Sequence, residues 1–221
     1  MMITRRKTKM KKFFMITPLQ PEGGLNKGFY KAQENSKLAY EKETRFPIIP
    51  VINGYAEAGE EIRVIAITPD VARSQSHLQE LKDEVEELQR EKKFVCRGVE
   101  SISVAYAGGV NTQIEIFYKM LSYMEDEDQL YGCLTYGNKT MSIAELMGIQ
   151  YGYRTLKNVS IECLVYGEFD HSQKIMFIYD ITALIQLDEL VRVLADRRVK
   201  NPLKVISMAL GMDGGEYESD K

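Results

Sequence analysis

The chain has 221 residues, of which 44% are hydrophobic, and its 29 basic and 32 acidic side chains leave a formal charge of −3. Such a length and composition are those of an ordinary globular protein that buries one core, alone or with a small appendage. No apolar run approaches the roughly 18 to 20 residues needed to cross a bilayer, and the apolar stretch after the basic amino terminus, residues 13–16, is too short for a signal peptide. We therefore expect a cytoplasmic protein with no membrane association.

Two short apolar runs, residues 12–17 and 62–68, each end at a proline and are predicted to be buried strands. Between them lie about forty residues, 18–60, that are rich in glycine and proline and far exceed a usual connection of ~4 to 6 residues. A helix is predicted within this segment at 29–40, and the remainder is interpreted as either a cover over a site or a mobile insertion. Residues 71–93 carry one narrow apolar stripe and are predicted to form an amphipathic helix that packs on a sheet face, with a dimer seam as the alternative.

The rest of the chain alternates short apolar runs with segments of helical periodicity. Strands are predicted at 101–107, 129–135, 159–166 and 174–179, and helices at 111–124, 142–156 and 184–195. This alternation is typical of parallel βαβ units whose helices cover both faces of the sheet. We therefore predict an α/β, Rossmann-like domain with a mostly parallel sheet over residues 11–196, followed by a carboxyl-terminal extension and acidic tail over 197–221.

The cysteines and histidines predict neither a disulfide framework nor a metal site. Cys96, Cys133 and Cys163 are odd in number and widely spaced, which favours buried thiols. His77 and His171 lack neighbours at metal-ligand spacing and are predicted to lie on the surface. No GxxxxGK[ST] or GxGxxG motif occurs, so no cofactor is predicted. The acidic pairs are predicted to lie on solvated faces or turns, without acid/base roles: Glu86, Glu87, Asp126 and Asp128.

The basic amino terminus leaves a different class of function open. A cluster of six cations there predicts a solvated tail, or alternatively an arm that binds anions or nucleic acid. Its members are Arg5, Arg6, Lys7, Lys9, Lys11 and Lys12. A Rossmann-like interaction protein or nucleic-acid binder that uses these residues is therefore the alternative to the small-ligand site described next.

In an open parallel α/β sheet, ligands bind at the carboxyl ends of the strands, because the loops and helix amino termini there present free N–H groups. The predicted strand ends are rich in threonine, whose hydroxyl can donate to a phosphate oxygen. The positions that this rule selects for ligand binding, outside the loop considered below, are Thr17, Pro18, Thr68, Gly108, Gly109, Asn111 and Thr182.

The loop TYGNK at residues 135–139 is the most informative of these strand ends. Gly137 permits a tight turn and close approach of a ligand, Asn138 supplies amide donors, and Lys139 adds a cation. A helix with a capping box at 142–145 is predicted to follow. These features predict a phosphate-binding loop, although a plain strand-to-helix turn with an exposed lysine would use the same residues.

The stretch from residue 129 to 167, with LTYGNK, an apolar helix and then NVSIECLVYG, resembles the CARF (CRISPR-associated Rossmann fold) sensors of type III CRISPR systems. Those domains often show a strand ending in a D-x-T-x-G-x-K type sequence, then a helix, then a strand that closes in Tyr-Gly. Thr135, Gly137 and Lys139 match this pattern, whereas Cys133 stands where the acidic residue is usual. Weaker similarities at 101–124 and 179–182 extend the resemblance over roughly residues 11–196.

The resemblance implies a homodimer whose paired loops bind cyclic oligoadenylate, with phosphates at Lys139 and adenine faces on aromatic rings such as Tyr136. Such sensors usually carry an effector domain, but little chain remains after residue 195. Arg73 and His77 are separated by three residues, closer than the Arg and His of the family's ribonuclease effector. The resemblance therefore implies either a sensor whose effector is a separate domain or subunit, or a metal-independent ring nuclease with Lys139 and Thr135 as catalytic residues.

Overall fold

A computed structural model describes residues 9–21, 23–107, 109–170, 172 and 175–211. The strands are β1 (Lys11–Ile16), β2 (Tyr30–Gln33), β3 (Ile62–Pro69), β4 (Val99–Val104), β5 (Gln129–Cys133), β6 (Ser160–Asp170) and β7 (Ile175–Asp180). The helices are α1 (Ile48–Tyr55), α2 (Ala72–Lys92), α3 (Val110–Leu121), α4 (Lys139–Thr155), α5 (Thr182–Asp196) and α6 (Pro202–Ala209), with a 3-10 turn at Ser36–Leu38. None of the helices in the described part of the chain has the length and apolar character that a bilayer crossing needs.

The seven strands form one sheet in the order β2-β7-β6-β5-β1-β3-β4. The five strands from β6 to β4 are parallel, whereas β7 pairs antiparallel with β6 and β2 pairs parallel with β7. The predicted α/β, Rossmann-like fold with a mostly parallel sheet is confirmed. From β1 the chain adds β3 and β4 on one side, then crosses to add β5 and β6 on the other. The junction of β1 and β5 is therefore the switch point at which such sheets bind ligands.

Both faces of the central strands are buried, which explains why they appear in the sequence as continuous apolar runs. Phe13 and Tyr131 stack on one face, with ring centroids 4.4 Å apart, in a core that includes α1 and α2. The opposite face lies under α4, because a Cβ at Gly132 would meet Ile149 at 2.7 Å and Leu164 at 2.8 Å. Helix α3 packs beside α4. The helices thus cover both faces of the sheet, as predicted.

The segment 18–60 differs most from the prediction. The helix predicted at 29–40 is wrong: residues 30–33 form the edge strand β2, whose backbone groups pair with β7. Helix α1, which was not predicted, is buried along its first five residues and so lacks the polar face that marks an amphipathic helix. Gly54 in α1 lies against the 3-10 turn, where a Cβ would come within 2.0 Å of the Lys37 carbonyl oxygen.

Several polar residues that were predicted to be solvated are buried in pairs. Lys12 and Asp128 form an ion pair with 2.6 Å between Nζ and Oδ2, and both side chains are almost fully buried. His77 is also buried, with Nε2 3.1 Å from the Gln20 carbonyl oxygen. The predictions of a solvated Asp128 and a surface His77 are therefore wrong, because each has a partner that is distant in sequence. His171 lies outside the described residues.

The basic cluster at the amino terminus is divided. Residues 1–8 lie outside the described part of the chain, whereas Lys11 and Lys12 belong to β1. Lys11 Nζ lies 2.7 Å from both Glu60 Oε2 and the Tyr55 carbonyl oxygen. Two of the six cations that were predicted to belong to a tail are therefore paired with other residues of the fold.

The chain divides into two compact units, Met1–Asp180 and Ile181–Lys221. The second unit begins with α5, so the boundary predicted at residue 196 falls inside it. Its other helix, α6, was not predicted and is capped by Asn201, whose side-chain oxygen accepts from the Lys204 N–H at 3.3 Å. The predicted acidic tail from 212 onward lies outside the described residues. The three cysteines are buried thiols, as predicted, with no disulfide among the described residues.

Candidate functional site

The loop between β5 and α4 turns over the switch point of the sheet. Gly137 has φ +87°, in the left-handed region that favours glycine, and a Cβ there would lie 2.9 Å from Ile16 Cγ2 at the end of β1. The predicted tight turn at Gly137 is confirmed. It brings the loop directly onto the end of β1, so Asn138 and Lys139 follow at the carboxyl edge of the sheet.

Helix α4 begins at Lys139, three residues earlier than predicted. Asn138 is its N-cap, and the Asn138 side-chain oxygen accepts from the Met141 N–H at 3.0 Å. The predicted capping box at 142–145 is wrong, because the Asn138 cap already satisfies the first turn. Ser142 instead donates to the Tyr136 carbonyl oxygen at 3.2 Å, and Glu145 faces inward and is fully buried.

The Lys139 side chain is exposed at the first position of α4 and forms no hydrogen bond or ion pair with any described residue. The Thr140 hydroxyl beside it donates to Asn138 Oδ1 at 2.7 Å and accepts from Gln113 Nε2 at 2.8 Å. Because Gln113 lies in the first turn of α3, these bonds join the amino termini of α3 and α4. A free cation therefore stands next to two helix ends, each of which carries partial positive charge.

Two other loop residues, Thr135 and Tyr136, use their hydroxyl groups in hydrogen bonds within the fold. The Thr135 hydroxyl accepts from the Gly167 N–H at 2.8 Å and lies 3.2 Å from Cys133 Sγ. Tyr136 is buried, its hydroxyl donates to the Arg45 carbonyl oxygen, and burial raises its pKa well above the ordinary value. The predicted role of Tyr136 as a stacking platform is wrong, because its ring lies in the core. Burial also raises the pKa of Cys133 to about 12, so this residue stays a neutral thiol where the CARF pattern has an acid.

The threonines at the ends of β1 and β3 lie at the same edge but turn inward. Thr17 is fully buried and its hydroxyl is hydrogen-bonded to the Ser74 hydroxyl, while Pro18 is buried beside it. Thr68 is fully buried, and its hydroxyl accepts from the Ser101 hydroxyl at 3.0 Å. These residues position α2 and β4 and do not offer free hydroxyls to a ligand.

The remaining predicted positions differ in where they lie. Gly109 is the exposed N-cap residue of α3, and Asn111 is exposed in the first turn. Gly108 lies outside the described residues. The prediction that Thr182 lies at this edge requires β7 to be parallel to β6, and it is wrong. Because β7 is antiparallel to β6, the chain leaves β7 in the opposite direction, and Thr182 begins α5 in the second unit.

Sequence reasoning missed one pair of residues at this edge. Arg73 lies in the first turn of α2, just past the end of β3, and its guanidinium carbon is 5.3 Å from the ring centroid of Tyr106. Tyr106 follows β4 and is half exposed. An arginine one turn after a predicted strand end, and an aromatic residue in the Ala-Tyr-Ala-Gly-Gly loop, were the available signals.

The segment 18–60 lies over the Thr135 side of the loop. A cavity of about 310 Å³ separates them, lined in part by Gln20, Leu25, Asn26, Thr135, Gly167 and Phe169. Ion pairs tie the segment to α2, with Arg45 Nε 3.7 Å from Glu80 and Nη1 3.6 Å from Glu84. This arrangement favours the cover over the mobile insertion as the interpretation of this segment.

No three His, Cys, Asp or Glu side chains in the described part of the chain gather as a metal site would require. In comparisons with known proteins, no protein-family model matches the chain and no curated protein matches its sequence. The geometry of the β5–α4 loop and the sequence resemblance are therefore the grounds for assigning a function.

Proposed function

We propose that the protein is a sensor that binds a cyclic oligoadenylate at the carboxyl edge of its sheet and acts as a homodimer. The observation that supports this most is the position of Lys139, an exposed cation without a partner among the described residues, at the amino terminus of α4. The resemblance to CARF sensors supplies the identity of the ligand.

The loop offers a phosphate the groups that phosphates prefer. The Asn138 cap engages the Met141 N–H and leaves the Lys139 and Thr140 N–H groups at the positive end of the helix dipole, where the Lys139 side chain adds a full charge. The Gln113–Thr140–Asn138 hydrogen bonds hold the adjacent amino terminus of α3 in place. A ligand with several phosphates can engage both helix ends.

A groove between α3 and α4 supports the homodimer. It encloses about 450 Å³ and is lined by large apolar side chains that are half or more exposed, including Val110 at 70%, Ile143 at 55% and Met147 at 54%. Contiguous apolar patches of this kind commonly mark protein interfaces. The groove also includes Thr140, next to Lys139. A second copy packed on it about a two-fold axis would place two Lys139 loops around one cyclic ligand.

Replacing Lys139 with alanine is expected to weaken binding of cyclic tetra- or hexaadenylate at least tenfold, because a charge-assisted phosphate contact is lost. Calorimetric titration measures this, and Lys157→Ala, an exposed lysine just beyond the other end of α4, is the matched control. Wild-type protein that binds no ring would contradict the proposed function. Equal affinities of Lys139→Ala and wild type would remove Lys139 from the site.

The substitution Ile143→Glu is expected to raise the dimer dissociation constant at least tenfold, because it buries a carboxylate in an apolar interface. Sedimentation velocity over a concentration series measures it. Val191→Glu, at an exposed apolar position of α5, is the control. Unchanged sedimentation of Ile143→Glu would place any dimer interface elsewhere.

Ring cleavage is an extension of the same site. A ribose 2′-hydroxyl held in line would attack the adjacent phosphorus, forming a P–O2′ bond and breaking the P–O5′ bond. The 2′ proton passes to solvent and the 5′ oxygen takes one up, leaving a 2′,3′-cyclic phosphate, while Lys139 stabilises the developing charge. Thr135 has a weaker case, because its hydroxyl already accepts from Gly167 N–H. Chromatography of cyclic oligoadenylate after incubation decides this, since an intact ring would exclude cleavage.

The nucleic-acid alternative loses part of its basis, because Lys11 forms an ion pair with Glu60 and Lys12 forms one with Asp128. Its test must also respect the fold: a deletion of residues 1–12 would remove two residues of β1, so the truncation should end at residue 8. Salt-dependent binding of RNA that disappears on this truncation would favour the alternative.

A further inference from the structure

We infer that Arg73 and Tyr106 form a second anchoring point of the ligand site, where the guanidinium binds a phosphate and the tyrosine ring stacks on a base. This inference rests on the proposed function and extends it from the β5–α4 loop to the ends of β3 and β4. The guanidinium carbon of Arg73 stands 5.3 Å from the Tyr106 ring centroid, and half of the Tyr106 surface is exposed.

Arg73 stands out because it has no acidic partner. Its Nε is buried without a hydrogen-bond acceptor, and Arg73 forms no ion pair with any described residue. Arg63 shows the usual arrangement in this chain, with both oxygens of Glu100 at 2.7 Å from its nitrogens. Nη1 and Nη2 are not among the buried unpaired atoms, so they reach solvent and are the guanidinium donors that a bound anion would meet.

The position of the pair suits a ligand that also reaches Lys139. In the order β5-β1-β3-β4, the ends of β5 and β3 are two strand spacings apart, which is roughly 10 Å. Arg73 lies in the first turn of α2, so its guanidinium acts together with the positive end of that helix. An oligonucleotide, with phosphates on successive nucleotides, can contact cations at both strand ends.

The aromatic ring supplies the second half of the recognition. Tyr136 is buried and cannot stack on a base, whereas Tyr106 offers an exposed ring at the same edge. Arginine packed on a tyrosine face retains N–H groups at its rim that bind phosphate oxygens in pairs. The pair therefore combines a phosphate contact and a stacking surface, which is how single-stranded nucleic acids are commonly held.

The test is calorimetric titration of full-length wild type, Arg73→Gln, Tyr106→Leu and Tyr106→Phe with cyclic tetraadenylate and with linear diadenylate at several salt concentrations. Arg73→Gln is expected to weaken binding about tenfold and to reduce the slope of log affinity against log salt by about one. Tyr106→Leu is expected to weaken binding about tenfold with the slope unchanged, and Tyr106→Phe to bind like wild type.

The control is Arg90→Gln on the exposed side of α2, which should leave both affinity and slope unchanged. Wild-type affinity and slope in Arg73→Gln and Tyr106→Leu, with Lys139→Ala still weakened, would overturn this inference and leave the proposed function standing. Binding of linear diadenylate alone, weakened by both substitutions, would support the pair and overturn the cyclic ligand. A wild type that binds neither overturns both.

Discussion

Replacing Asp128 with asparagine is expected to lower the free energy of unfolding by about 3 to 5 kcal/mol. The substitution preserves shape but leaves the Lys12 ammonium, which is almost fully buried, without its counter-charge at 2.6 Å. The introduced amide oxygen would still accept the hydrogen bond from the Glu125 N–H that Asp128 Oδ2 accepts at 2.6 Å. The loss therefore reports mainly the unpaired charge, and urea unfolding measures it.

Two further variants distinguish the loss of the buried Lys12–Asp128 ion pair from unrelated effects of substitution. The double replacement Lys12→Met with Asp128→Leu should recover most of the lost stability, since removing both charges avoids a buried unpaired ion. Glu86→Gln, which breaks the exposed pair with Arg90, should change stability by no more than about 0.5 kcal/mol. An Asp128→Asn variant as stable as wild type would mean that the two charges are solvated.

The strands of the parallel core are predictable from sequence because burial on both faces requires apolar residues at most positions of the strand. The IRVIAITP run of β3 is apolar at most positions for this reason, and its bounds differ from the prediction by one residue. Helix α2 is equally recognisable, because only one of its faces is buried and Leu78, Leu81, Val85 and Leu88 recur at helical spacing. For β3 and α2, the local pattern of apolar residues was enough to predict the element, because it reflects which faces are buried.

What the sequence does not show are contacts between distant residues. The burial of Asp128 depends on Lys12, 116 positions away in the chain, and that of His77 depends on the Gln20 backbone. The direction of β7 depends on a hairpin with β6, and a short apolar run carries no mark of direction. The same limitation explains why Thr182 was placed at the wrong strand end.

The candidate site also has one part that the local sequence predicts and another part that depends on contacts between distant residues. Gly137, Asn138 and Lys139 are contiguous, so the turn at Gly137 could be predicted from five residues of sequence, although the helix cap was predicted too late, at 142–145 instead of Asn138. Arg73 and Tyr106 are brought together only by the pairing of β3 with β4, and no local pattern links them. The orientation of Tyr136 likewise depends on Arg45 in the covering segment.

Replacing Glu145 with methionine is expected to stabilise the protein at neutral pH by about 1 to 3 kcal/mol, the usual cost of burying a polar group without partners. Glu145 is fully buried in α4, and neither carboxyl oxygen has a hydrogen-bond partner among the described residues. Burial raises the pKa of this carboxyl group well above its ordinary value. The carboxyl group is therefore neutral in the folded protein at pH values where it is ionised in the unfolded chain.

The direction in which stability changes with pH follows from the difference between the folded and unfolded pKa of Glu145. Below the unfolded pKa both states hold the proton, so Glu145 adds no pH dependence. As pH rises from the unfolded pKa toward the raised folded pKa, only the unfolded chain releases the proton, and stability falls by up to about 1.4 kcal/mol per pH unit. The advantage of Glu145→Met over wild type should therefore grow as the pH rises above about 5 in urea unfolding. Glu145→Gln should abolish the same dependence of stability on pH but gain less stability than Glu145→Met, because it buries an unsatisfied amide. The control is Glu87→Gln, at an exposed acid of α2, which should leave the pH dependence unchanged. A constant difference between Glu145→Met and wild type across this range would show that the carboxyl group ionises in the folded protein as it does in water.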